Sequence, residues 1–109
     1  MQPDIVFDAF PKGESGAAVM LLIGGKLTPC SAISASSNEA LHEAIKQLLP
    51  HDGVFHQVTI ETHGSTTLAC ADMTHGGARV IGEGSHKDCF TAKAKAIVDA
   101  VSKIRARHT

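Results

Sequence analysis

The strongest constraint on this chain is a set of turn and cap signals that occurs twice. Gly24-Gly25 is answered by Gly76-Gly77, and Ser36-x-x-Glu39 by Ser85-x-x-Asp88. A glycine pair between two apolar runs is a hairpin turn, because both residues can take the left-handed backbone that the tight turn needs. A serine followed three residues later by an acid, ahead of an apolar periodic run, marks a helix start. The spacing predicts the order β-β-β-α, repeated.

In the first half, residues 5–10 read as a strand and Pro11-Lys12-Gly13-Glu14-Ser15-Gly16 as a turn cluster. Residues 17–23 form an unbroken apolar run, expected to be a buried central strand. Residues 26–34 give a third strand, with Pro29 marking an edge or a bulge. The helix after Ser36 carries Ala40, Leu41, Ala44, Ile45, Leu48 and Leu49 on one face and His42, Glu43, Lys46 and Gln47 opposite, until Pro50 ends it. Pro50-His51-Asp52-Gly53 is the linker.

The second half repeats this order. A strand over 55–62 sets Val58 and Ile60 on one face, and His63-Gly64-Ser65 turns the chain. A strand over 66–74 puts Leu68, Cys70 and Asp72 on a common face. After Gly76-Gly77, a strand over 79–83 leads through Gly82-Glu83-Gly84 into Ser85, the expected N-cap of a helix over 89–104. Further pairs support the duplication: Ile5-x-Phe7 with Val58-x-Ile60, and Leu41, Leu48 and Leu49 with Phe90, Ile97 and Val98. The expectation is one α+β domain over 1–109, with repeat one at 4–50 and repeat two at 54–105. Two β-β-β-α units would be related by a pseudo-two-fold axis, with helices packed on antiparallel sheet.

Composition narrows the function classes. Hydrophobic residues are 43% and charged residues 19%, which is globular rather than disordered. No apolar run approaches the 18 or so residues of a membrane span. Met1-Gln2-Pro3-Asp4 is acidic where a signal peptide would be basic. The three cysteines, Cys30, Cys70 and Cys89, form no CxxC motif, which fits a reduced, cytoplasmic protein with buried thiols. The formal net charge is −1 and uneven: residues 79–109 hold seven basic side chains against Glu83, Asp88 and Asp99. That basic face reads either as a helix surface with cations near its C-terminus or as a nucleic-acid surface. The absence of Trp and Tyr argues against base stacking.

Seven histidines, at 42, 51, 56, 63, 75, 86 and 108, lack the short spacings of a metal site and read as scattered surface residues. His63 and His75 flank a strand and would meet only if their turns lay together. Cys89 opens a helix three residues after His86, but no third group orients the pair as a nucleophile and base. Gly82-x-Gly84 lacks the third glycine of a dinucleotide loop. No cofactor and no metal are expected. What remains is a pair of helix N-termini, whose outward N–H groups suit a carboxylate or a phosphate.

At these residues the chain resembles a known family. The segment GEGSHKDCFTAKAKAIVDAVSKI, residues 82–104, is similar to the closing segment of the C-terminal regulatory domain of the isopropylmalate synthase and citramalate synthase family. That segment reads glycine-x-glycine, a polar stretch, aspartate, two aliphatics and an alanine-rich helix. Asp88 falls on the aspartate, Cys89 and Phe90 on the aliphatic pair, and Ala92, Ala94, Ala96 and Ala100 on small helix positions. Residues 34–40 sit where the family has glycine-x-glycine-proline-valine-aspartate-alanine; Ala40 matches, Glu39 replaces the aspartate, and serines replace both glycines and the proline. The resemblance implies a non-catalytic, allosteric domain that forms a homodimer and binds leucine or another branched-chain amino acid near the dimer interface. By position, the ligand residues it implies are Ser34, Ser36, Ser37 and Glu39 at the start of the first helix, and Gly84, Ser85, Asp88 and Cys89 at the start of the second. A catalytic barrel would need roughly 250 residues and lies outside this chain.

Two alternatives remain. Residues 38–104 also read as α-β-β-β-α, similar to the double-stranded RNA-binding domain, whose last helix opens with clustered lysines; here His86-Lys87-Asp88 offers one lysine beside an acid. The other alternative is a dimeric interaction domain with no small ligand.

Overall fold

The computed structural model describes residues 5–107; the readings placed on residues 1–4 and on His108 fall outside them. The elements are β1 (Ile5–Lys12), β2 (Gly16–Ile23), β3 (Lys26–Ile33), α1 (Ser37–Leu48), β4 (Val54–His63), β5 (Thr66–His75), β6 (Ala78–His86) and α2 (Cys89–Ala106). Each set of three strands is an antiparallel meander, β1-β2-β3 and β4-β5-β6. The fold is a duplicated α+β arrangement, each sheet followed by its helix.

Helix α1 lies on β2 and β3, and α2 lies on β5 and β6; each also reaches the first strand of the other repeat, α1 to β4 and α2 to β1. The helices therefore fill the space between the inner faces of two sheets. One apolar core runs across both repeats, with Leu21, Leu41, Ile45, Leu49, Met73, Ile97, Val101 and Ile104 fully buried. The α-β-β-β-α reading would put α1 on the second sheet; its main contacts are with the first.

Side chains alternate across a strand, so each central strand has one face inward. Strand β2 buries Ala17, Val19 and Leu21, and β5 buries Thr67, Ala69, Ala71 and Met73. Leu68, Cys70 and Asp72 do share a face, and it is the outer one. Small residues point inward on β5 because α2 lies close there. The hairpin glycines behave as the sequence predicts, with φ of 58° and 81° at Gly24 and Gly25 and 60° and 80° at Gly76 and Gly77. Pro29 sits on β3, an edge strand, where its missing N–H costs no ladder bond.

The start of the second helix departs from expectation. Strand β6 continues through His86, so Ser85 is a strand residue and Asp88 is the N-cap. Asp88 Oδ2 accepts from the Thr91 N–H at 2.9 Å and from the Thr91 hydroxyl at 2.8 Å. Gly82 and Gly84 do not turn the chain. They lie inside β6 opposite Ala71 and Ala69, and a Cβ at Gly82 would run into the Ala96 carbonyl and the Ala100 backbone. At Gly84 it would meet Lys95, Ala96 and the Ala92 carbonyl. These glycines let α2 approach the strand backbone closely.

The repeat register shifts accordingly. The counterpart of Ser36 is Asp88, and Ala40, Ala44, Ile45 and Leu49 answer Ala92, Ala96, Ile97 and Val101, all buried. The pairing of Leu41, Leu48 and Leu49 with Phe90, Ile97 and Val98 is thus a helical turn out of step. The first strands also pair differently: Val6 lies opposite Leu21 as Phe55 lies opposite Met73, with a bulge after each.

Candidate functional site

The first helix starts as its sequence predicts. The Ser36 hydroxyl accepts from the Glu39 N–H at 3.2 Å and lies 3.4 Å from the Glu39 carboxylate. Ser34 precedes it, its N–H bonded to the Ser15 carbonyl at 2.8 Å. Ser34 and Glu39 line a cleft of about 290 Å³ beside α1, together with His42, Glu43, Lys46, Gly53, Val54 and Phe55. One wall thus comes from the start of the second repeat. Carboxylates at Glu39 and Glu43, an ammonium at Lys46 and an apolar side at Val54 and Phe55 face one small volume.

The residues before α2 are differently placed. Gly84 and Ser85 line a groove of about 640 Å³ on the outer face of β4-β5-β6, with Thr59, Glu61, Leu68, Cys70 and Glu83. Asp88 serves its own helix: the Thr91 N–H and then the Thr91 hydroxyl hold its carboxyl below the usual range. Cys89 is exposed, and Cys30 and Cys70 are half-buried, so none of the thiols is in the core as expected. His86 is occupied by the turn, its Nδ1 accepting from the Asp88 N–H at 2.9 Å. Ser36, Ser37, Asp88 and Cys89 line neither cavity. Among the described residues, those before α2 and those at the start of α1 line two different cavities. The two helix N-termini are linked by Lys93, whose ammonium donates to the Asn38 side chain at 3.1 Å.

The basic residues of α2 are engaged within the fold. Lys95 donates to the Ser85 carbonyl, Lys103 to the Ile81 carbonyl at 2.7 Å, Arg105 to the Pro50 carbonyl at 3.1 Å and Arg107 to the His75 carbonyl. Lys103 also pairs with Asp99 at 3.3 Å. These cations cap strand and linker carbonyls.

The histidines are not all scattered. His42, assigned by pattern to the polar face of α1, is buried at 6% exposure. Its ring stacks on Phe55 at 4.8 Å, and its Nε2 lies 3.0 Å from His51 Nε2. Sequence spacing missed this pair because it joins a helix to the linker, nine residues apart. The available signal was position: His42 precedes Ile45 by three and Leu49 by seven, on the flank of the apolar stripe. His63 and His75 do not meet; His63 lies by Glu61 and His75 by Asp52. Among the described residues no group of three or more His, Cys, Asp or Glu side chains could hold a metal ion, and no helix is long and apolar enough to cross a membrane.

No family model matches the chain. It is 30% identical over 95 residues to the 2-isopropylmalate synthase of Caulobacter sp. (strain K31), an alignment covering 84% of this chain and 18% of that protein. The chain therefore spans less than a fifth of the length of the relative it matches. The likeness covers most of a chain folded as a doubled β-β-β-α domain, and this chain resembles the C-terminal regulatory domain of the isopropylmalate synthase family.

Proposed function

We propose that this chain is a non-catalytic regulatory-type domain that binds a branched-chain amino acid and works as a homodimer. The likeness to a short segment of an isopropylmalate synthase carries this reading. The cleft beside α1 supports it chemically. Glu39 and Glu43 suit an ammonium, Lys46 suits a carboxylate, and Val54 and Phe55 suit an aliphatic side chain. An acid at the helix N-terminus favours a zwitterion over a phosphate.

The dimer reading rests on the outer face of β1-β2-β3. Ile5, Phe7, Phe10, Leu27 and Ile33 are exposed on this sheet, Phe7 at 63% and Ile33 at 85%. An exposed apolar patch of this kind marks an association surface. Asp8 and Lys12 flank it with opposite charges, so a two-fold pairing would set each against the other.

Thermal unfolding with leucine, isoleucine and valine tests the ligand. An amino acid at 100 times its Kd raises stability by about 2.7 kcal/mol, and Lys46→Met should weaken that binding at least tenfold. No shift with any of the three at millimolar concentration would overturn the ligand reading. Light scattering tests the dimer: two-fold mass for the native chain and monomer mass for a folded Phe10→Lys variant. A native monomer at high concentration would refute it.

A further inference from the structure

The linker between the repeats is held more tightly than its composition suggests. Gly53 is buried, and a Cβ there would collide with Ile104 of α2 and approach the Thr74 carbonyl and His51 Nδ1. Arg105 of α2 grips the Pro50 carbonyl, and His75 of β5 sits 2.8 Å from Asp52. The contact to α1 is different, because it is made between two imidazoles.

The donors and acceptors there form a determined chain. The Gly53 N–H donates to His51 Nδ1 at 3.0 Å, so that nitrogen carries no proton. A neutral His51 then carries its proton on Nε2. It donates to His42 Nε2, 3.0 Å away, which must itself be bare. His42 is thereby neutral with its proton on Nδ1. One further proton anywhere on the chain breaks it. On His51 Nδ1 it faces the Gly53 N–H; on His42 Nε2 it faces the His51 N–H.

We propose that the Gly53–His51–His42 chain is an acid-opened latch, which ties the linker and the start of β4 to α1 while both rings are neutral and frees them when either takes up a proton. The surrounding charges fit this role. His42 is buried, close to His51 and Lys46, and its pKa falls to about 4, burial being the largest cause. His51 is lowered too, by burial first and then by Lys46, with Arg105 and His75 adding to the effect and Asp52 opposing it. Glu39 and Glu43 of α1 face the His42 cleft and are the groups that would favour an imidazolium. The Phe55 ring would also favour a cation, but the larger cost is burial. Both rings therefore stay neutral near pH 7, and the latch opens on acidification. The second repeat lacks the device, since Ala94 and Lys103 stand where the first has His42 and His51.

Nuclear magnetic resonance on the full chain, from pH 8 to pH 4.5, reads this directly. The His42 and His51 ring signals should titrate below the ordinary histidine range, together with the Gly53 amide signal. Hydrogen-exchange protection of that amide, corrected for the intrinsic pH dependence of exchange, should fall at least tenfold between pH 7.5 and pH 5. Amides of central β5 should keep theirs. In His51→Asn the side-chain oxygen can still accept from the Gly53 N–H and does not titrate, so the fall should shrink to under twofold. Ordinary titration of both rings near 6.5, or a Gly53 amide indifferent to pH in the native chain, would overturn the latch. So would an undiminished fall in a folded His51→Asn.

Discussion

The two repeats share an outline and differ in how the helix meets its sheet. In the second, Gly82 and Gly84 face Ala92, Ala96 and Ala100, and the α2 backbone lies nearly against β6. In the first, Cys30 and Ala32 occupy the corresponding positions of β3, and α1 is held off by side chains, with the Cys30 thiol 3.4 Å from Gln47 Oε1. The second interface is backbone on backbone and tolerates no added atom. The first can adjust by moving side chains. Duplication has preserved the hairpins and the core stripe, while the first half alone carries a histidine on its helix and its sheet exposes the larger share of apolar side chains, five against Val54, Ile60 and Leu68 on the second.

The sharpest way to break this contrast is to place bulk at the matched positions. Gly82→Val should cost about 3 kcal/mol or more, because the Ala96 carbonyl and Ala100 backbone have nowhere to go, whereas Cys30→Val should cost less than about 1.5 kcal/mol; urea unfolding of both variants measures the gap. Equal costs would show that the two interfaces are alike.

Acid should act on the first half before the second. His42 has a folded-state pKa lowered to about 4 from 6.5. The unfolded chain therefore binds the extra proton first, and stability is full above about pH 6.5 and lost as pH falls toward 4. Unfolding midpoints of the native chain and His42→Gln across that window should converge at low pH. If the native curve is flat there, burial of His42 has no energetic consequence.

The caps separate the halves by a smaller amount. Asp88→Ala should cost about 1–2 kcal/mol and Ser36→Ala about 0.5–1 kcal/mol at pH 7, since the aspartate accepts two bonds and carries a charge at the helix N-terminus. The Asp88 carboxyl is lowered below 3.8, so its contribution is present above that value and disappears as pH falls through the depressed pKa. The smallest effects belong to the outer sheet faces. Phe10→Ser and Leu68→Thr should each alter the unfolding free energy of a single chain by less than about 0.5 kcal/mol, and only Phe10→Ser should reduce association.

Local signals were legible in the sequence. Glycine pairs, the Ser36 cap and an edge proline act through neighbouring atoms, so hairpins, α1 and the strand order follow from residue identity. The start of α2 misled because Ser85-x-x-Asp88 has the composition of a capping box while its glycines answer to a helix that follows in the chain but packs across the strand. Only the packing shows that Gly82 and Gly84 are contact residues. The candidate cleft is half legible for the same reason. Ser34 and Glu39 follow from the start of α1, but Val54 and Phe55 arrive from the other repeat, and nothing near Ser34 announces them. His42 failed the polar-face reading because a helix pressed between two sheets buries more than one stripe.

The crowded setting of Gly53 has a consequence for how such a molecule can be cut. A chain made of two like units invites division at the join, as two separate halves or as a permuted chain opened there. Here Gly53 is buried and its neighbours Pro50, His51 and Asp52 are tied to α2, α1 and β5, while Gly24-Gly25 and Gly76-Gly77 stand in open space. New termini belong at the hairpin tips; the boundary written in the sequence is a poorer place to divide the folded protein than either glycine pair.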